Sequence, residues 1–224
     1  MKTIRTFSEL EKKLSRTEQR IAAIAAAEDE NVIRGIKLAR EMGFIRSAIV
    51  TGDANRIRSI INLLGEDVSH YDIKPAASSI QAALMAVKAV KHGDAQILVK
   101  GNLETTFYLR AILDKENGIA ASKLLSNITL FEMESYHKFI AVTDNAINPL
   151  PNLIQKKFII ENTGPLYIAL GIPEPKVAVL SAVETINPNI PSTLDAACLA
   201  KMSERGQING FKLDGPLSYD VAMD

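Results

Sequence analysis

The feature that most constrains this chain is an alternation, repeated four times in its first half, of a short apolar run with a longer amphipathic stretch. RIAAIAAA (20–27) leads to a helical pattern from about Asp29 to Met42 closed by Gly43, and SAIVTGD (47–53) leads to one from about Ala54 to Leu64. YDI (71–73) precedes a helical pattern from about Ser78 to Lys91 that ends at His92 and Gly93, and AQILVKG (95–101) precedes one around Leu103 to Leu113. Strands alternating with helices of this length run parallel, because each helix returns the chain to the end where the next strand begins. Such a sheet is covered on both faces. Thr6 and Glu9 form a candidate capping box for a first helix. Asp29, Asp53 and Ser78 occupy N-cap positions, where a short polar side chain satisfies otherwise unpaired N–H groups.

The rhythm breaks between about Leu124 and Thr143. There ITLFEMES and KFIAVTD, two β-type runs with no helix between them, predict a hairpin and a change of domain. Beyond it the α/β pattern resumes with a long helical stretch from about Asn152 to Leu170, the strand KVAVLSA, a helix from about Thr193 to Arg205 stopped by Gly206, and the strand FKLDG. The nine prolines gather mainly between Pro149 and Pro191 and mark loops there.

Composition removes several classes of function. A hydrophobic content of 47% is ample for a packed core, and 26 basic residues against 26 acidic ones leave no excess positive field to hold nucleic acid or an anionic membrane. The longest apolar runs, such as IAAIAAA and AVLSAV, fall far short of the roughly 20 residues that span a bilayer. MKTIRTFSELEKK carries charges where a signal peptide needs an apolar run, and one cysteine, Cys198, permits no internal disulfide, so the expected location is the cytoplasm.

Standard nucleotide and hydrolase signatures are absent: no GxGxxG, no GxxxxGK followed by Ser or Thr, no HExxH and no GxSxG. His70, His92 and His137 lie far apart with no second ligand at metal spacing, so no metal site is expected. Cys198 falls in the apolar stretch DAACLAKM, where a small buried side chain is expected. More informative are three strands that each end in a glycine: IVTGD at Gly52, LVKGN at Gly101 and KLDGP at Gly215. Open parallel sheets bind ligands beyond the carboxyl ends of their strands, so each glycine turn is either a candidate anion contact or a plain connector. Lys100, at a strand end, and Arg110, on the following helix, could reach one phosphate together, or could be solvated charges.

Four longer phrases carry a resemblance: LVKGNLETTFYLRAIL from Leu98, VTDNAINPLPNL from Val142, PKVAVLSAVETINPNIPSTLDAACLAKMSERGQI from Pro175, and LDGPLSYD from Leu213. With them, essentially the whole chain resembles the phosphate acetyl/butyryl transferase family, most closely its butyryltransferase branch. The resemblance implies reversible exchange of a short acyl group, butyryl or similar and possibly acetyl, between coenzyme A and phosphate through an acyl phosphate. Coenzyme A is then a substrate, acyl-CoA and phosphate are the partners, no cofactor is permanently bound, and the protein self-associates as a dimer or larger homo-oligomer. The implied fold is a two-domain, three-layer α/β/α architecture with mainly parallel sheets, similar to the isocitrate/isopropylmalate dehydrogenase-like fold. It places a first domain at 1–125 and a second at 126–224, with the active site in the cleft between them.

By the same resemblance Lys100, Gly101, Thr105 and Arg110 line the site near phosphate. Asp144 and Asn148, with Pro149, supply polar contacts or turn structure. Ser181 and Glu184 end a strand that faces the substrate, and Asp214, Gly215 and Pro216 form the matching turn after the next strand. In the family the chain continues, completes the second domain and returns to the first, carrying a Ser-Arg pair and an aspartate thought to bind phosphate and deprotonate the thiol. No position here matches them, and PLSYDVAMD begins as a helix without a closing cap, so the chain reads as truncated. Without the base, a thiol is only roughly 3% thiolate at neutral pH, a loss on the order of 2 kcal/mol, so weak or no turnover is expected. The alternative reading is a noncatalytic remnant that binds coenzyme A or acyl phosphate. An oxidoreductase of the related dehydrogenase fold would need metal-binding aspartates and a nucleotide loop, and neither signature is present.

Overall fold

The computed structural model describes residues 2–223. The chain divides into two compact units, one formed by Leu10–Ala121 and the other by the segment up to Glu9 together with the stretch from Ser122 onward. Helix α1 (Phe7–Leu14) opens the chain. Its cap is split: Thr6 Oγ1 accepts from the Glu9 N–H at 3.2 Å, whereas the Glu9 carboxylate takes the N–H of Arg5 at 2.9 Å rather than that of Thr6.

The first unit contains β1 (Arg20–Ala25), α2 (Glu30–Glu41), β2 (Ile45–Gly52), α3 (Ala54–Leu63), β3 (Tyr71–Pro75), α4 (Ser79–Lys91), β4 (Ile97–Lys100) and α5 (Thr105–Ile112). Its four strands form a parallel sheet in the order β3-β2-β1-β4. The chain steps outward from β1 to β3, and α4 then carries it back so that β4 lies on the other side of β1. The carboxyl ends of β1 and β4 therefore form the point where the winding reverses, the place where open sheets of this kind bind ligands.

Side chains of β1 alternate between two cores, as a strand's period of two dictates. Ala22 and Ile24 pack with Ile33, Ile36, Val50, Ile57 and Ile61 under α2 and α3, while Ala23 and Ala25 pack with Ala82, Ala83, Ala86 and Val87 of α4. Both faces are buried, which is why β1 reads as an unbroken apolar run. Alanine against alanine brings α4 close to the sheet, where the buried Thr51 hydroxyl lies 2.9 Å from the Ile24 carbonyl and 2.8 Å from that of Ala82. The expected N-caps form at Asp29, Asp53 and Ser78, which accept from Val32, from Asn55 and Arg56, and from Gln81.

At the amino end of the same sheet Glu66 fastens α2 to the start of β3. It accepts from Arg40 Nη2 at 2.6 Å and from the Tyr71 hydroxyl at 3.1 Å, with Lys37 Nζ at 3.6 Å. Burial pushes its carboxyl upward, but the bonds from Arg40 and Tyr71 and the charges of Arg40 and Lys37 outweigh it and hold the group below the usual range.

The second unit contains the antiparallel pair β5 (Thr129–Phe131) and β6 (Ile140–Val142), the expected hairpin. These are followed by α6 (Leu153–Asn162), α7 (Gly164–Ala169), β7 (Lys176–Leu180), α8 (Pro191–Glu204), β8 (Lys212–Leu217) and α9 (Tyr219–Met223). The single long helix expected from Asn152 to Leu170 is two. Asn152 and Gln155 form a full capping box on α6, but Pro165 has no N–H to continue the ladder and instead opens α7. The strands β7 and β8 pair in parallel, and Val177, Val179 and Leu213 pack under Ile160, Leu199, Ile208 and Phe211. Cys198, expected to be buried, is exposed, because Ala196 and Leu199 take the core face of α8. Among the described residues no helix is long and apolar enough to cross a membrane.

Candidate active site

The turn after β4 is built by backbone. The Gly101 N–H donates to the Ala25 carbonyl at 2.8 Å and the Asn102 N–H to the Ala26 carbonyl at 2.7 Å, so β4 is tied past the end of β1. A Cβ on Gly101 would collide with the Ala26 and Ala25 carbonyl oxygens. Ala26, buried and non-glycine, has φ +57°, a conformation the fold holds through these bonds. Lys100, paired in the ladder with Ala25, presents an exposed side chain at this point and has no ion pair among the described residues. Thr105 begins α5, whose N-cap, Glu104, makes no side-chain capping bond, so the first N–H groups of that helix are open to a ligand. Lys100, Gly101 and Thr105 thus gather where the winding reverses. Arg110 lies elsewhere on α5, in its last turn, about 7.5 Å along the axis and roughly 140° around it from Thr105.

In the second unit Asp144 and Asn148 form a loop clasp. Asp144 Oδ1 accepts the N–H groups of Ala146 and Ile147, each at 2.9 Å, and Oδ2 accepts Asn148 Nδ2 at 2.5 Å. Asn148 Nδ2 also donates to the Leu125 carbonyl at 2.9 Å. Burial pushes the Asp144 carboxyl upward, but the two backbone N–H groups and the Asn148 amide more than offset it and hold it below the usual range. Such a carboxylate is fully occupied and a poor proton acceptor.

Ser181 sits just past β7, its N–H donating to the Leu217 carbonyl at 2.8 Å and its hydroxyl 2.7 Å from that of Ser192 in the first turn of α8. Glu184 accepts from the Ser218 N–H at 3.3 Å, and hydrogen bonding to Ser218 holds its carboxyl below the usual range. Ser181, Glu184 and Ser192 therefore gather at the carboxyl end of this strand pair. The turn expected at Asp214, Gly215 and Pro216 is instead part of β8, with Pro216 buried. A register shift between Ala178 and Leu180 lets β8 bend there, and a Cβ on Gly215 would stand 2.7 Å from the Val179 carbonyl oxygen, so only glycine permits that approach. Asp214 uses Oδ1 to accept the N–H of Gly215 at 2.8 Å.

Comparison with known proteins resolves what this arrangement belongs to. The family model described as Phosphate acetyl/butaryl transferase matches residues 74–224. Phosphate butyryltransferase of Clostridium acetobutylicum is 41% identical over 220 residues, covering 98% of this chain and 73% of that protein. The chain belongs to the phosphate acetyl/butaryl transferase family.

Phosphate acetyltransferase of Rhizobium meliloti is 36% identical over 204 residues, 91% of this chain and 64% of that protein. Among solved structures, a branched-chain phosphotransacylase from Enterococcus faecalis superposes with a TM-score of 0.78 at 27% identity, covering 90% of this chain and 70% of that one. The stretch matched by the family model contains every site residue named from the phosphate acetyl/butaryl transferase resemblance. One residue of the cluster around Ser181 was missed by sequence reasoning. Ser192, next to proline at a helix start, was readable as a first-turn residue. Among the described residues no group of three or more His, Cys, Asp or Glu side chains is arranged to hold a metal ion.

Proposed function

We propose that this chain catalyses reversible transfer of a short acyl group between coenzyme A and inorganic phosphate, with butyryl preferred to acetyl. The observation that carries the reading is 41% identity to a phosphate butyryltransferase across 98% of the chain. In the direction of acyl phosphate formation, a phosphate oxygen attacks the thioester carbonyl. The C–S bond breaks, the C–O bond forms, and the thiolate leaves and takes up a proton. The developing oxyanion and the incoming phosphate both call for fixed donors and positive charge. The unpaired Lys100 ammonium and the uncapped start of α5 at Thr105 suit the phosphate, with Gly101 allowing the close backbone approach, while Arg110, in the last turn of α5, is a candidate for another charged part of the substrate. Within the second unit Ser181, backed by Ser192, and Glu184 are candidate substrate contacts, while Asp144, Asn148, Asp214, Gly215 and Pro216 shape that unit's backbone.

The doubly wound sheet and the second α/β unit support an arrangement of the isocitrate/isopropylmalate dehydrogenase-like kind, with domains at 1–125 and 126–224 save that the segment up to Glu9 joins the second unit. A cytoplasmic location, self-association, and use of coenzyme A as substrate with no resident cofactor belong to the same proposal. The test is thiol release from butyryl-CoA and acetyl-CoA with and without phosphate. Phosphate-dependent release, slow but faster with butyryl-CoA, is the expected result. Release that ignores phosphate would contradict it, and coenzyme A binding without release would return the noncatalytic reading.

A further inference from the structure

At the amino end of the first sheet, Arg40 of α2 holds two side chains of the link between α3 and β3. Its Nη2 donates to Glu66 Oε2 at 2.6 Å, and its Nη1 lies 3.3 Å from Nε2 of His70, the last residue of the 3₁₀ turn Val68–His70. A guanidinium carries only N–H donors and no acceptor. Nε2 must therefore accept, and the neutral His70 ring carries its proton on Nδ1. Both Nδ1 and Arg40 Nε are buried and have no hydrogen-bond partner among the described residues. The Glu66 side chain is 6% exposed and that of Arg40 20%, so water screens the cluster poorly.

Proton uptake by this ring abolishes the contact. The second proton can go only to Nε2, which then becomes a donor facing the N–H groups of Arg40, and a hydrogen bond turns into a contact between two cations. The surrounding charges divide. Arg40 and Lys37 of α2 oppose a further cation, and Glu66 is already committed to Arg40, Tyr71 and Lys37. Exposed Asp67, whose Oδ1 accepts the Ser69 N–H at 2.8 Å, lies close enough to interact with the charge of His70 and offers it an alternative partner. The turn also packs against α3 and β2, whose Arg56, Arg58 and Arg46 are exposed, as are Glu41 at the end of α2 and Asp72 of β3. His70 leads directly into β3, the edge strand that pairs with β2. We propose that His70 is a proton-sensitive latch: neutral, it joins Glu66 in fastening the amino end of β3 to Arg40, and protonated, it leaves Arg40 and frees that end of the strand. The fold holds the neutral ring, so the latch contributes above the ordinary imidazole value of about 6.5 and is lost as the pH falls below it. None of the residues assigned to acyl transfer takes part.

The experiment follows the full, nitrogen-15-labelled chain by NMR between about pH 7.5 and about pH 5.5, the range in which an imidazole changes charge, for the wild type and for His70→Gln. Glutamine does not titrate, and its Oε1 can accept from Arg40 at every pH. At the neutral end the ring nitrogen shifts of His70 are expected to show the tautomer with hydrogen on Nδ1. On acidification the wild-type amides of His70 and Tyr71, which donate to the Asp67 and Val68 carbonyls, should lose hydrogen-exchange protection about tenfold relative to His70→Gln. That factor is the one typical of losing a hydrogen bond that involves a charged group. His92 and His137 are common to both proteins, so the difference isolates His70. A His70 ring with hydrogen on Nε2 at neutral pH, or the same pH dependence of protection in both proteins, would overturn the proposal. If His70→Gln does not fold, the wild type decides alone: protection of Tyr71 that falls with the midpoint of the His70 ring titration supports the latch, and protection indifferent to that titration removes it.

Discussion

The two parallel sheets of this protein use the same local unit, a strand followed by a helix, and end in different states. In the first unit Ala22 to Ala25 of β1 are 0–1% exposed, sealed by helices on both faces; in the second, Leu180 of β7 is 51% exposed and the strand alternates between half-buried and open positions. A doubly covered strand contributes its full apolar surface, whereas one covered on a single face contributes about half. Lys100 and Gly101 therefore stand on a fixed foundation, fastened by two backbone bonds to β1, and Ser181 and Glu184 stand on a pair of strands with an open face.

The largest effects should come from testing that contrast by cavity. Ile24→Ala removes a fully buried side chain and should cost about 3 to 4 kcal/mol in urea unfolding, while Leu180→Ala should cost less than about 1 kcal/mol. Equal losses would erase the distinction between the sheets. Next comes Gly101→Ala, where the new methyl meets carbonyl oxygens that cannot move without disturbing β1. We expect a loss of about 2 kcal/mol together with a fall in kcat, against a gain of up to about 1 kcal/mol for Gly35→Ala, a helical position with nothing within 4 Å. A harmless Gly101→Ala would mean the β1 and β4 ends are not rigidly joined.

In the second unit Asp144→Ala should lower stability at neutral pH by about 1.5 kcal/mol, since it strips partners from two backbone N–H groups and Asn148. The folded carboxyl lies below its unfolded value, so its contribution is complete above about pH 4 and is lost as pH falls through the folded value. The wild type and Asp144→Ala should therefore converge in stability in acid. A gap that does not narrow as the pH falls below about 4 would assign the loss to packing instead.

Much of the first unit was readable because strand and helix periodicities follow directly from burial on two faces, and three caps at Asp29, Asp53 and Ser78 agreed with them. The hairpin at 129–142 was likewise marked by two β-type runs without a helix. What escaped depends on tertiary contact. Asp214-Gly215-Pro216 has turn composition, yet it continues β8 because Val179 presses against Gly215. The outward face of Cys198 follows from which side of α8 meets Leu213 and its neighbours, and no one-dimensional pattern states that. Of the site, the Lys100-Gly101 strand end was visible as a motif. The approach of Glu28 to Gly52 was not, since the two are far apart in sequence and meet only at the end of the sheet.

The measurement that bears most directly on the acyl-transfer reading is the phosphate dependence of thiol release from butyryl-CoA by the wild type and by Lys100→Ala. Saturation with phosphate in the wild type, and a KM for phosphate raised about tenfold in the variant with a smaller change in kcat, is the result expected if Lys100 meets phosphate at the end of β4. Identical phosphate KM values, or thiol release indifferent to phosphate in both proteins, would contradict it.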